Sequence, residues 1–137
     1  MTDIRQLLAG PEIEANISLL LQNTNILAIV GSLLALDDSQ DKLVRYLKLE
    51  AAWILTNISY GKGSDIQEIF NEEYSIIKSL NDILRGFDLQ MIDQVFFFIR
   101  NVLHTDKNTF KVIVREMKVG EVVIDKYKKL LDAHMQL

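Results

Sequence analysis

Apolar residues recur three and four positions apart along most of the chain, and short polar or glycine-bearing breaks cut this pattern into helical lengths. A short helix is expected from Asp3 to Ala9, stopped by Gly10-Pro11. Pro11 suits the first turn of a second helix that runs to Gln22 and carries Ile13, Ile17, Leu20 and Leu21. Asn23-Thr24-Asn25 reads as a turn and N-cap, and Ile26 to Leu36 as a strongly apolar helix with Gly31 inside it. After the polar Asp37-Asp38-Ser39-Gln40 comes a long helix, Asp41 to Tyr60. Gly61-Lys62-Gly63-Ser64 is the clearest break in the chain. Ser64 is expected to cap a short helix, Asp65 to Phe70, and a further helix runs from the Asn71–Glu73 stretch to Arg85. Beyond Gly86 the pattern predicts helices from Leu89 to His104, from Lys107 to Lys118 and, past a Val119-Gly120 hinge, from Glu121 to Ala133. Val122-Val123-Ile124 is β-prone, but its flanks continue the helical spacing. The expected fold class is all-α.

The order long helix, glycine turn, short helix, medium helix, long helix occurs twice. Aligning Trp53 with Phe97 also aligns Glu50 with Gln94, Asn57 with Asn101 and Ile58 with Val102. The separation of about 44 residues lies inside the ~40–47 period of helical HEAT and armadillo repeats. Units of this kind bury their apolar faces against their neighbours and stack into a solenoid. The chain then divides into residues 1–60 (N-terminal helices and first unit), 61–104 (second unit) and 105–137 (partial third unit), all within one domain.

Within the first unit, Trp53 and Asn57 stand one turn apart on a helix that already has a core face in Leu47, Ala51, Ile54, Leu55 and Ile58. Glu50 lies on the Trp53 stripe. A tryptophan on a helix also packs between helices. The asparagine beside it, and the second copy at Phe97 and Asn101, direct the reading towards a ligand, because a buried amide must find partners.

The segment Glu50-Ala-Ala-Trp53-Ile-Leu-Thr-Asn57-Ile-Ser-Tyr-Gly61 resembles the third helix of an armadillo repeat of the importin-α family. Trp53-x-x-x-Asn57 matches the family's Trp-x-x-x-Asn hallmark, and Gly61 falls where the family ends this helix. Gln94-x-x-Phe97-x-x-x-Asn101 is similar to the next repeat, with phenylalanine for tryptophan. The resemblance spans roughly residues 26 to 118. It implies a right-handed α-solenoid of about two to three armadillo repeats. It also implies a groove that binds extended basic peptides such as nuclear localisation signals, antiparallel to the solenoid. Trp53, Asn57, Glu50, Gly61, Gln94, Phe97 and Asn101 would form that groove. Partners would be basic peptide or protein cargo and importin-β-type transport factors, with no cofactor, and the location cytoplasm and nucleus. Three positions depart from the family: Ile66 beyond the glycine turn, Arg100 beside the second asparagine, and Thr105 where an acid is usual, with Asp106 next to it. Importin-α-like receptors carry many more repeats and a basic N-terminal arm. Arg5 is the only base in the first 25 residues here, so the sequence reads as a fragment or a divergent miniature.

The chemistry supports the same reading. An asparagine carboxamide offers acceptor and donors together, so it can hold a peptide unit in both directions. A tryptophan wall takes a lysine stem and the cation above its ring. The net charge of −4 favours basic partners and disfavours general nucleic-acid binding. The absence of cysteine removes disulfides, thiolate ligands and a cysteine nucleophile, and fits a reducing compartment. No stretch reaches the roughly 18 apolar residues of a membrane span, and the N-terminus has no secretory pattern. His104 and His134 make a poor metal set, and Gly61-Lys62-Gly63-Ser64 lacks the phosphate-loop spacing. No nucleophile–base pair stands out, so an enzyme is not expected. The alternative is an armadillo scaffold that docks a protein through another surface, or self-associates through open solenoid ends.

Overall fold

The computed structural model describes residues 12–37, 41–105, 111, 115 and 119–135. The expected helix at 3–9, the Gly10-Pro11 stop, Asp38 to Gln40, Asp106, most of the helix at 107–118 and the side chains of Thr105 and His134 lie outside the described residues. Among those described there are seven α-helices and no strand: α1 (Ile13–Asn23), α2 (Ile26–Leu34), α3 (Lys42–Ile58), α4 (Gly63–Ile69), α5 (Ile76–Arg85), α6 (Leu89–Thr105) and α7 (Val119–Met135). A 3-10 turn, Glu72–Tyr74, precedes α5. The all-α expectation holds. No single described helix is long and apolar enough to cross a membrane.

The helix ends differ from expectation in instructive ways. Asp41 is an N-cap, its side chain accepting from the Leu43 N–H at 2.9 Å, so α3 starts one residue later. Asn25 does not cap α2 through its side chain; Thr24 Oγ1 accepts the Ile26 N–H instead. Ser64 does not cap α4, which begins at Gly63 with Lys62 at the N-cap. Val119-Gly120 is helical and not a hinge. The helix expected from Asn71–Glu73 onward is broken. Asn71 accepts from the Glu73 N–H, and Ser75 adopts a left-handed conformation (φ 53°), which ends the 3-10 turn before α5 starts.

Packing follows the twofold order of the chain. α1 contacts α4, α2 contacts α5, and α3 lies along α6 in the most extensive helix pairing among the described residues. Each helix of the first set thus meets its counterpart in the second. α2 also packs on α3, and α5 on α6, so the core is continuous through both sets. Ile17, Val30, Leu55 and Ile58 fill it in the first set, and Ile66, Leu80, Leu84 and Phe98 in the second. The amphipathic stripes of α3 and α6 fall at helical spacing because one face is bought from water by these residues.

Polar contacts join counterparts across the two sets. Ser18 Oγ donates to Asp65 Oδ2 at 2.6 Å, tying α1 to α4. Arg45 on α3 donates to both carboxylate oxygens of Asp88, at 2.7 and 3.1 Å, and to Gln90. Asp88 also accepts from the Met91 N–H at the start of α6. The Arg45 side-chain bonds come first in holding the Asp88 carboxyl below the usual carboxylate range. A depressed carboxyl stabilises the fold above its unfolded pKa, and that contribution is lost as pH falls through the folded pKa. Asp88→Asn is therefore expected to unfold at lower denaturant than the parent at neutral pH. The difference should vanish below the carboxylate range, as acid titration of the two denaturation midpoints would show. The pair is solvent-exposed, so the effect is modest.

Candidate functional site

The α3–α6 pairing positions every residue singled out on these two helices. On α3 the core side is Ala51, Ile54, Leu55 and Ile58, all buried, as the spacing predicts, with Leu47 half-buried. Trp53 and Asn57 are half-buried on the opposite side and present their outer edges to solvent. Tyr46 and Tyr60 are exposed at the two ends of the same helix region. On α6, Phe98 turns inward and packs against Phe70, with ring centroids 6.5 Å apart and a tilted geometry. Phe97 turns outward and is 46% exposed, with the Arg100 guanidinium 5.5 Å from its ring centroid. Phe96 is likewise exposed. The three consecutive phenylalanines thus divide between core and surface.

The two asparagines at matching positions have different surroundings. Asn101 is only 6% exposed and lies in the seam between α3 and α6. Its Nδ2 donates to Ser59 Oγ at 3.1 Å and to the Thr56 carbonyl at 3.4 Å. Ser59 Oγ in turn donates to the Thr56 carbonyl. The amide therefore satisfies a carbonyl near the C-terminal end of α3, where helices leave acceptors unpaired. Asn57 makes no side-chain hydrogen bond among the described residues, and its carboxamide reaches the half-exposed face. The difference has a simple origin. α6 has α3 lying beside it, whereas no earlier long helix among the described residues lies beside α3.

Glu50 and Gln94, also at matching positions, are 6% and 8% exposed. Both sit below the surface line of Trp53 and Phe97. Gln94 Oε1 is buried and has no hydrogen-bond partner among the described residues. Such an orphaned acceptor costs stability until a donor reaches it. Gly61 is buried behind α3, where a Cβ would meet Ile17 Cγ2 at 2.9 Å. Its place is structural: it lets the turn after α3 close onto α1. Ile66 is buried in the core of α4 and takes no part in this face.

A cleft of about 450 Å³ lies elsewhere, at the rim where α2 and α5 end and α3 and α6 begin. Arg45, Lys48 and Lys78 line it together with Asp37, Asp82 and Asp88. Two of its three cations are engaged by its own walls: Arg45 by Asp88, and Lys48 by the Leu36 carbonyl at 3.1 Å. No group of three or more potential metal ligands occurs among the described residues. Sequence reasoning did not find Tyr46 and Tyr60 as neighbours of the Trp53 stripe, although both fall at the stripe's helical spacing. Comparison with family models, with curated proteins and with solved structures finds no match.

Proposed function

We propose that this chain is a short armadillo-type α-solenoid that binds extended, lysine-rich protein segments across α3 and α6, in the manner of importin-α. Two features support the solenoid: the counterpart packing of α1 with α4, α2 with α5 and α3 with α6, and the repeated order of their sequences. The observation that carries the binding reading is the pair Trp53–Asn57. An aromatic edge and a carboxamide without a side-chain hydrogen bond among the described residues share one face, one turn apart. Asn57 supplies donor and acceptor to a peptide backbone, and Trp53 and Phe97 supply walls for its side chains. Glu50, just beneath, adds a negative charge that favours lysine. Asn101 holds α6 against α3 and so positions Phe97, while Arg100 lies above Phe97 and must swing aside for a cationic ligand. Cargo of this chemistry makes the chain a component of nuclear protein import.

Titration calorimetry with a lysine-rich peptide tests this reading, against the same peptide with glutamate for lysine. Trp53→Ala is expected to weaken binding by roughly 2- to 30-fold, the equivalent of about 0.5–2 kcal/mol for one cation–π wall. Asn57→Ala should weaken it by a similar factor through lost backbone hydrogen bonds. No heat with the parent protein, or affinity unchanged from the parent in both variants, rejects the reading.

A further inference from the structure

The outward face of α6 corresponds, 44 residues on, to the face of α3 that receives α6. The face of α3 that carries Arg45 and Thr56 is the one against which α6 lies. The matching positions on α6 are Leu89 and Arg100, and both are exposed, Leu89 at 78%. Between and beside them lie Asp93, Phe96, Phe97 and His104, all exposed. These six residues form one stripe, about 100° wide at 100° per residue. Their order is symmetric: apolar or polar ends at Leu89 and His104, opposite charges at Asp93 and Arg100, and an aromatic pair at Phe96–Phe97 in the centre. Asp93 makes no ion pair among the described residues, and Arg100 stands two turns away, about 10.5 Å along the axis, beyond pairing distance.

We infer that a second copy of this chain covers the stripe, with the two α6 helices antiparallel about a twofold axis near Phe96 and Phe97. Reversing the helix puts Asp93 of each copy opposite Arg100 of the other. The phenylalanines meet their own counterparts at the centre, and Leu89 covers the flat ring of His104. The interface is isologous and closes at two subunits. The charge order selects this occupant. A head-to-tail arrangement, continuing the α3–α6 packing through further copies, would leave Asp93 and Arg100 without their complements and would not close.

Phe97 and Arg100 belong both to this stripe and to the proposed peptide face, so the second copy and a bound peptide compete for them, while Trp53 and Asn57 lie outside the stripe. Sedimentation velocity on the full chain tests the inference, at micromolar to millimolar protein and low salt. The parent is expected to reach a dimer and go no further. Asp93→Arg and Arg100→Asp each place like charges opposite one another and should sediment as monomers. Mixed in equal amounts, these two variants restore both ion pairs and should sediment as a heterodimer, which also shows that each is folded. Trp53→Ala should dimerise as the parent does. A monomeric parent, single variants that dimerise unchanged, a mixture that stays monomeric, or species that grow past the dimer would each overturn the inference.

Discussion

Phe98→Ala is expected to lower the unfolding free energy by about 3–5 kcal/mol, the usual cost of emptying a buried phenylalanine site. Phe98 is 1% exposed and is among the largest wholly buried side chains. Its ring meets Phe70 at the C-terminal cap of α4, so truncation removes a contact between α6 and the end of that short helix. A domain of this size is stable by only about 5–15 kcal/mol, so the loss is a large share of the total and the variant would be almost wholly unfolded at the parent's midpoint. Urea denaturation followed by far-ultraviolet circular dichroism gives the value directly. Phe97→Ala, one residue earlier, should change stability by no more than about 0.5 kcal/mol, because that ring already faces water. Equal losses in the two variants would mean that α6 is rotated from the orientation described.

The second large effect is a reversal of sign. Inside a helix, alanine is favoured over glycine by about 1 kcal/mol. At position 31 the exchange is nevertheless expected to destabilise, by about 1–3 kcal/mol net. A Cβ on Gly31 would fall on the carbonyl oxygen of Tyr74, closer than any real Cβ contact, and would also meet the Tyr74 carbonyl carbon at 3.2 Å. The obstacle is backbone, held by the 3-10 turn and by the bond from Ser75 N–H to the Glu72 carbonyl, so no side chain can rotate away. Gly31→Ala measured in the same urea series would show a lowered midpoint. A raised midpoint would mean that α2 does not approach this turn so closely.

What the sequence reveals and what it hides follow from the range of the forces involved. The long helices were legible because each is amphipathic over several turns and its stripe is a local property. The core face of α3 is local in the same sense. The break before α5 was not legible. The residues from Asn71 to Arg85 keep helical spacing, and only the left-handed Ser75, with Asn71 capping the 3-10 turn, separates the two pieces. Serine is not a residue that announces that conformation. At the candidate site, the shared face of Trp53 and Asn57 was legible from their four-residue spacing. The contrast between Asn57 and Asn101 was not, since it depends on which helix lies alongside. Identical registers gave one carboxamide at the surface and one bonded into a seam. The same limit applies to Glu50 and Gln94, whose depth is set by the neighbouring helix and not by their own.

The Asn101 seam has one more consequence, for spacing. Its nitrogen bonds to Ser59 and to the Thr56 carbonyl, so sliding α6 along α3 by a turn would strand the amide in a dry interface. The two helices are thereby fixed like divisions on a ruler. Packed helices stand about 8–10 Å apart, and an extended chain advances about 3.3–3.6 Å per residue. A strand crossing from the Trp53 wall to the Phe97 wall therefore travels between two and three residues. On the proposed peptide-binding reading the molecule would measure the interval between side chains as well as their charge, and a segment with its lysines adjacent would satisfy only one of the two divisions.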